Sequence, residues 1–148
     1  MLFRSVVSKD ILKLFRKRVN DLQLNFIIMG EPEFKFEKLI IWQKTMDFGE
    51  DVFMLTHGFP KEELYSLTSQ LRRAVDSIAL NIAEGSTGQS NPEFRKFIGY
   101  GMRSLAEVTT CLHKAKRRKY ISNEEFDKNY LEAFNLMNMM ASFRTKLV

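Results

Sequence analysis

Residues 64–85 read LYSLTSQLRRAVDSIALNIAEG. Leu64, Leu67, Leu71, Ala74, Val75, Ile78 and Ile82 recur there in alternating steps of three and four, the spacing that lines side chains along one stripe of an α-helix. Ahead of the run, Pro60 suits a first helical turn, and Glu62 and Glu63 favour the positive pole of the macrodipole. Behind it, Gly85 can adopt positive φ and close the helix. This is the clearest amphipathic run in the chain, and it sets the expected fold class.

Outward from it the same period repeats. Over about residues 37–56, Leu39, Trp42, Met46, Gly49 and Phe53 share a stripe that Ile40, Phe48, Val52 and Leu55 widen, and His57-Gly58 ends it. After a polar loop, Asn91-Pro92 offers an N-cap and a proline at the first helical position. The stripe that follows comprises Phe94, Phe97, Ile98, Gly101, Leu105, Val108, Leu112 and Ala115, with an end expected near Tyr120. Ser122 and Glu125 then have the spacing of a reciprocal capping box. The helix that it starts carries Phe126, Tyr130, Ala133, Phe134, Met137, Met140 and Ala141. Short connections make sequential helices antiparallel neighbours, so the expected fold is all-α, an up-down-up-down four-helix bundle over residues 35–148. Ile40, Ile41, Phe48, Tyr100, Leu131, Leu136 and Met139 fall beyond the stripes. At roughly 25 cal/mol per Å² of apolar surface, a second face left in water forfeits several kcal/mol. Self-association is the expected remedy, although a membrane or partner contact would also serve.

With 148 residues, 45% hydrophobic and 28% charged, the chain has material for one core. Seven Gly and three Pro are too few for the turns of an all-β sandwich or barrel. The single cysteine, Cys111, excludes an intramolecular disulfide and a thiolate-rich zinc site, and it suits a reducing cytoplasm. The start of the chain lacks a secretion pattern. The apolar stretches Phe26 to Met29 and Leu39 to Trp42 are too short to span a bilayer, so a cytoplasmic protein with no membrane contact is expected.

The net charge of +5 is uneven: residues 1–30 hold six basic and two acidic side chains, and the remainder seventeen and sixteen. From a possible N-cap at Ser8, Ile11, Leu12, Phe15, Val19 and Leu22 alternate with Lys13, Arg16, Lys17 and Arg18. Residues 1–34 thus read as an appendage, either a basic amphipathic helix or a disordered leader. As a helix it suits nucleic acid, an anionic membrane surface, a partner groove or simple docking on the bundle. Gly30 to Pro32 breaks the pattern, and a chain beginning at Met29 is expected to fold. In the remainder, Lys114, Lys116, Arg117, Arg118 and Lys119 form a dense run. It attracts phosphate in one reading and is a solvated cationic helix end in the other.

Catalytic patterns are missing. No Glu-x-x-His pair accompanies His57 or His113, no nucleophile elbow accompanies Cys111, and Gly85-Ser86-Thr87-Gly88 lacks the residues of a phosphate loop. The chain is therefore expected to be no enzyme and to carry no cofactor. Gln70, Ser77, Asn81 and Glu84 on one helix, with Ser104 and Glu107 on the next, read as a hydrogen-bonded polar layer that fixes register, with catalysis the alternative.

The segment from Gln70 to Gly85 resembles the hallmark of a bacterial family of four-helix-bundle proteins encoded in intervening sequences of 23S ribosomal RNA genes, whose relatives serve as accessory proteins in diversity-generating retroelements. Phe36 to Gln43, Phe59-Pro60 with Glu63, Glu93-Phe94 with Phe97, and Ser104 to Val108 support the resemblance over about residues 35–147. It implies a ring-like homopentamer with a basic surface for nucleic acid and, in retroelement members, for a reverse transcriptase. Arg72 and Arg73 match the family's paired arginines, and Asn81 and Glu84 its polar signature. Arg103 departs from a usual glycine, and Gly88 or Gln89 from a usual basic loop residue. The expected function is a non-enzymatic, oligomeric nucleic-acid-binding or ribonucleoprotein accessory role. Arg72, Arg73, Lys114, Lys116, Arg117, Arg118 and Lys119 would meet phosphates. The alternative is a protein-interaction scaffold that docks a partner on exposed apolar helix faces.

Overall fold

Apolar residues at helical spacing organise the α-helices of the described residues. The computed structural model describes residues 9–29, 32–88 and 90–148. Among them are five α-helices and no strand: α1 (Lys9–Met29), α2 (Ile40–Leu55), α3 (Leu67–Thr87), α4 (Asn91–Arg117) and α5 (Asn123–Thr145). The chain divides into two compact units, residues 1–34 and 35–148. The first holds α1, whose side chains from Lys9 to Leu24 are exposed. Its expected N-cap, Ser8, and Gly30 of the expected break lie outside the described residues, as does Gln89.

In the second unit α3 packs most extensively on α4, α4 on α5, and α2 on both α3 and α5, which closes a cycle around one core. Contacts between α3 and α4 descend in step along the two helices. Gln70 bonds Glu107, Ser77 bonds Ser104, and Gly85 meets Phe97. Val52, Leu71, Ile78, Ile82, Ile98, Leu105, Val108, Leu112, Leu136 and Met140 are wholly buried between the helices. Each such aliphatic side chain contributes about 1.5–3 kcal/mol by leaving water.

Several boundaries differ from expectation. Helix α2 begins at Ile40, after a 3₁₀ turn over Lys35–Lys38. Helix α3 begins at Leu67, behind 3₁₀ turns over Thr56–Gly58 and Lys61–Glu63. Leu64 is consequently 46% exposed and lies outside the core. The cause is the Glu63 carboxylate, which accepts from the Ser66 hydroxyl and from the Leu67 backbone N–H and so stops the helix there. Gly85 does not end α3. It sits inside the helix, where a Cβ would come within 2.6 Å of Phe97 Cβ and 2.7 Å of Phe94 Cδ2, so the missing side chain lets α4 approach. The cap of α4 is Ser90, not Asn91; its hydroxyl accepts from the Glu93 N–H at 3.3 Å. The capping box of Ser122 and Glu125 is present with both hydrogen bonds.

The core stripes of α2 and α5 also differ. On α2 the buried residues are Ile41, Thr45, Phe48 and Val52, while Met46 and Phe53, expected inside, are 42% and 41% exposed. On α5 they are Phe126, Asn129, Ala133, Leu136 and Met140, while Tyr130 and Phe134 face outward. Ile41, Phe48 and Leu136, expected on a second face, are thus core residues. Of these displaced residues, Met46, Tyr130 and Phe134 line two grooves. One, between α2 and α3, has a volume of about 480 Å³ and is walled by Trp42, Met46, Gly49, Ala79, Leu80 and Ala83. The other, of about 250 Å³ between α4 and α5, is walled by Ala106, Thr109, Tyr130, Phe134 and Met137.

Candidate functional site

The end of α4 distributes the basic run over different surroundings. Helical geometry puts Lys114 and Arg118, four residues apart, over the face that meets α3. Arg73 of α3 joins them. The three cations line one polar concavity of about 290 Å³ with Tyr65, Ser66, Leu67, Ser69 and Gln70. Arg73 and Lys114 are exposed and form no hydrogen bond or ion pair among the described residues. Arg118 donates through Nη1 to Glu63 Oε1 at 2.8 Å, which fixes its guanidinium at the rim.

The other expected phosphate ligands stand elsewhere. Arg72 is half-buried; its Nε donates to Thr56 Oγ1 at 2.8 Å, and its guanidinium lies 4.4 Å from the centre of the Phe53 ring. Both partners tie it to the end of α2. Lys116 points toward α5, with Nζ 4.1 Å from the Phe126 ring centre and 4.0 Å from Asp127 Oδ1. Arg117 is exposed outside the concavity. Lys119 has φ 61° and follows the C-cap of α4. Its N–H donates to the Lys116 carbonyl at 3.0 Å, and the Tyr120 N–H donates to the Ala115 carbonyl at 2.9 Å. These two bonds make a Schellman motif, which uses Lys119 for its backbone.

Polar residues of α3 and α4 form rungs between the helices. Gln70 Nε2 donates to Glu107 Oε1 at 3.3 Å, and the hydroxyls of Ser77 and Ser104 lie 2.9 Å apart. Asn81 Nδ2 donates to the Ser77 carbonyl at 2.7 Å and to the Ser77 hydroxyl at 3.1 Å. Glu84 is exposed and takes no part in these rungs.

The sequence marks Glu63 as a residue near a helix start and as part of the family resemblance, with no role in a site, yet it organises the rim of the concavity. Its carboxylate accepts from Ser66 Oγ, the Leu67 N–H, the Tyr120 hydroxyl at 2.9 Å and Arg118. The Ser66 hydrogen bond contributes most to holding its pKa down to about 2, with Leu67, Tyr120 and Arg118 acting in the same sense. By accepting the Tyr120 O–H hydrogen bond, Glu63 raises the pKa of the Tyr120 phenol.

Other chemistry-bearing side chains lie apart. His57 Nδ1 is 3.1 Å from the Phe53 carbonyl, and His113 packs edge-on against Phe126 and Tyr130. Cys111 is buried, and desolvation raises its thiol pKa. Among the described residues no group of three or more His, Cys, Asp and Glu side chains could hold a metal ion. No helix among them is long and apolar enough to cross a membrane.

The family model of 23S rRNA-intervening sequence proteins matches residues 37–142. A crystal structure of a protein with unknown function from the S23 ribosomal protein family of Bacteroides thetaiotaomicron VPI-5482 resembles the fold, with a TM-score of 0.64 at 18% identity. The likeness covers 71% of this chain and 98% of that one. No curated protein matches.

Proposed function

Because the chain belongs to the 23S rRNA-intervening sequence protein family, we propose that it is a non-enzymatic, oligomeric RNA-binding protein that meets phosphates at the α3–α4 concavity. The observation that carries this reading is the convergence of Arg73, Lys114 and Arg118 from separate parts of the sequence onto one polar hollow, two of them in no ion pair among the described residues. Cations so placed attract a phosphodiester backbone and release its counterions, contacts that carry no sequence information directly. Binding is then salt-sensitive and tolerant of sequence. A titration of a labelled RNA tests this: affinity falls as salt rises, whereas salt-independent binding or no binding overturns the reading.

In this proposal the helix pairs form an antiparallel up-down-up-down four-helix bundle, and copies of it associate into a ring. The closed cycle of contacts supports the bundle. A ring larger than a dimer needs two different complementary faces on each subunit. The α2–α3 and α4–α5 grooves are two apolar faces on opposite helix pairs. Five copies is the number that the family resemblance implies.

A second reading, a scaffold that docks another protein, is favoured by the α2–α3 groove alone, whose lining includes Trp42, Met46 and Leu80. Nuclease treatment separates the two: it abolishes partner recovery if RNA is the ligand and spares it if the groove holds a protein.

A further inference from the structure

A second basic hollow lies toward the opposite end of α4. Arg95, Lys96 and Arg103 of α4 and Arg144 of α5 line it together with Pro92, Gly99 and Tyr100, around a volume of about 370 Å³. No carboxylate is among its lining residues. Arg95, Lys96 and Arg103 form no ion pair among the described residues. Four like charges around one hollow repel one another, an arrangement that an anionic ligand relieves.

The hollow is constructed by packing. Arg144 Nε donates to the Arg95 carbonyl at 3.2 Å, and its guanidinium lies across Gly99, with Nη2 3.5 Å from where a Cβ would stand. The neighbouring Phe94 and Phe143 rings, 5.4 Å apart and edge to face, hold α5 against α4 at this point. Tyr100 lies between Lys96 Nζ and the Arg103 guanidinium, which are 5.8 and 5.7 Å from its ring centre. These contacts gather the cations from residues that the sequence scatters.

Helix geometry relates this hollow to the first. Lys96 and Lys114 are eighteen residues apart, which is five turns of 3.6 residues, so they stand at the same azimuth of α4, about 27 Å apart along its axis. Tyr100 and Arg118 are related in the same way. We propose that Arg95, Lys96, Arg103 and Arg144 form a second phosphate site, and that one RNA backbone runs along the α3 side of α4 from this site, past the exposed Glu107, to Arg73, Lys114 and Arg118. The inference rests on the RNA-binding reading above and extends it from one contact to a track.

The test measures affinity of the full chain for a labelled RNA long enough to span both sites, across a range of salt. Lys96→Ala with Arg103→Ala removes two exposed cations of the second hollow, and Arg73→Ala with Lys114→Ala removes two of the first. For single-stranded RNA each lost phosphate contact lowers the steepness of log affinity against log salt by about 0.7, so each pair is expected to lower it by about 1.4. An unchanged steepness in the Lys96 and Arg103 variant, alongside a reduced one in the Arg73 and Lys114 variant, overturns the track and leaves the first site standing. Absence of RNA binding by the unmodified chain overturns both.

Discussion

Arg118 and Glu63, fifty-five residues apart in sequence, meet through a 2.8 Å hydrogen bond that joins the end of α4 to the turn before α3. With Ser66, Leu67 and Tyr120 also donating, the Glu63 carboxylate titrates near 2 instead of 4.5. Between those values the unfolded chain binds a proton that the folded chain does not. This contribution to stability is therefore fully present above about pH 4.5 and is lost as the pH falls toward 2. At the other end of the scale the neutral Tyr120 phenol is favoured in the fold, so its contribution is lost as the pH rises through its raised value. Glu63→Gln should lower Tm near neutral pH and flatten the acid side of the Tm profile. An acid limb identical to that of the unmodified chain would contradict this account.

Gly85 and Gly49 should respond in opposite ways to the same substitution. A Cβ at Gly85 runs into Phe97 and Phe94, whereas one at Gly49 has nothing within 4 Å. Gly85→Ala should cost about 1–3 kcal/mol through overpacking between α3 and α4. Gly49→Ala should stabilise α2 by about 0.5–1 kcal/mol, the usual gain of alanine over glycine inside a helix. Denaturant midpoints of the two variants check both signs.

Lys119 occupies the left-handed position of the α4 Schellman motif, which favours glycine. Lys119→Gly should therefore raise stability by about 1 kcal/mol. It should leave RNA affinity close to that of the unmodified chain, because Lys119 is outside the concavity. A marked loss of affinity would place this residue on the RNA.

The expected core of α3 and α4 agreed with the structure along most of its length, because each has one apolar face and polar residues elsewhere. Helices α2 and α5 were harder to read, for a definite reason. Each carries two apolar faces, and the buried one contains a polar residue, Thr45 or Asn129. Thr45 Oγ1 donates to the Trp42 carbonyl and Asn129 Nδ2 to the Glu125 carbonyl, both at 2.8 Å, so each satisfies its donor on its own helix, while Asn129 Oδ1 is buried with no hydrogen-bond partner among the described residues. Periodicity ranks the wholly apolar stripe first and so selects the groove wall. The basic run at 114–119 was legible as charge, but its division between Arg73, Phe126 and a helix cap depends on tertiary neighbours. Arg95, Lys96 and Arg103 gave no dense run, and Arg144 joins them only when α5 packs on α4.

The α2–α3 groove should control assembly without controlling folding. Leu80 is 65% exposed beside Met46 and Trp42, so a charge there meets solvent in a single subunit but is buried when a copy covers the groove. Leu80→Glu should leave Tm nearly unchanged at low protein concentration and shift the mass measured by light scattering toward that of one 17.4 kDa chain. An unmodified chain that is already monomeric would contradict the ring.

The most direct test compares the salt dependence of RNA affinity in two variants, one that removes two cations of the concavity and one that removes a cation of the basic run outside it. Arg73→Ala with Lys114→Ala should lower the steepness of log affinity against log salt by about 1.4 for single-stranded RNA. Lys116→Ala, which removes a side chain engaged with Phe126 and Asp127, should leave that steepness unchanged. Equal loss in both, or loss in Lys116→Ala alone, would contradict a phosphate site built where α3 meets the end of α4.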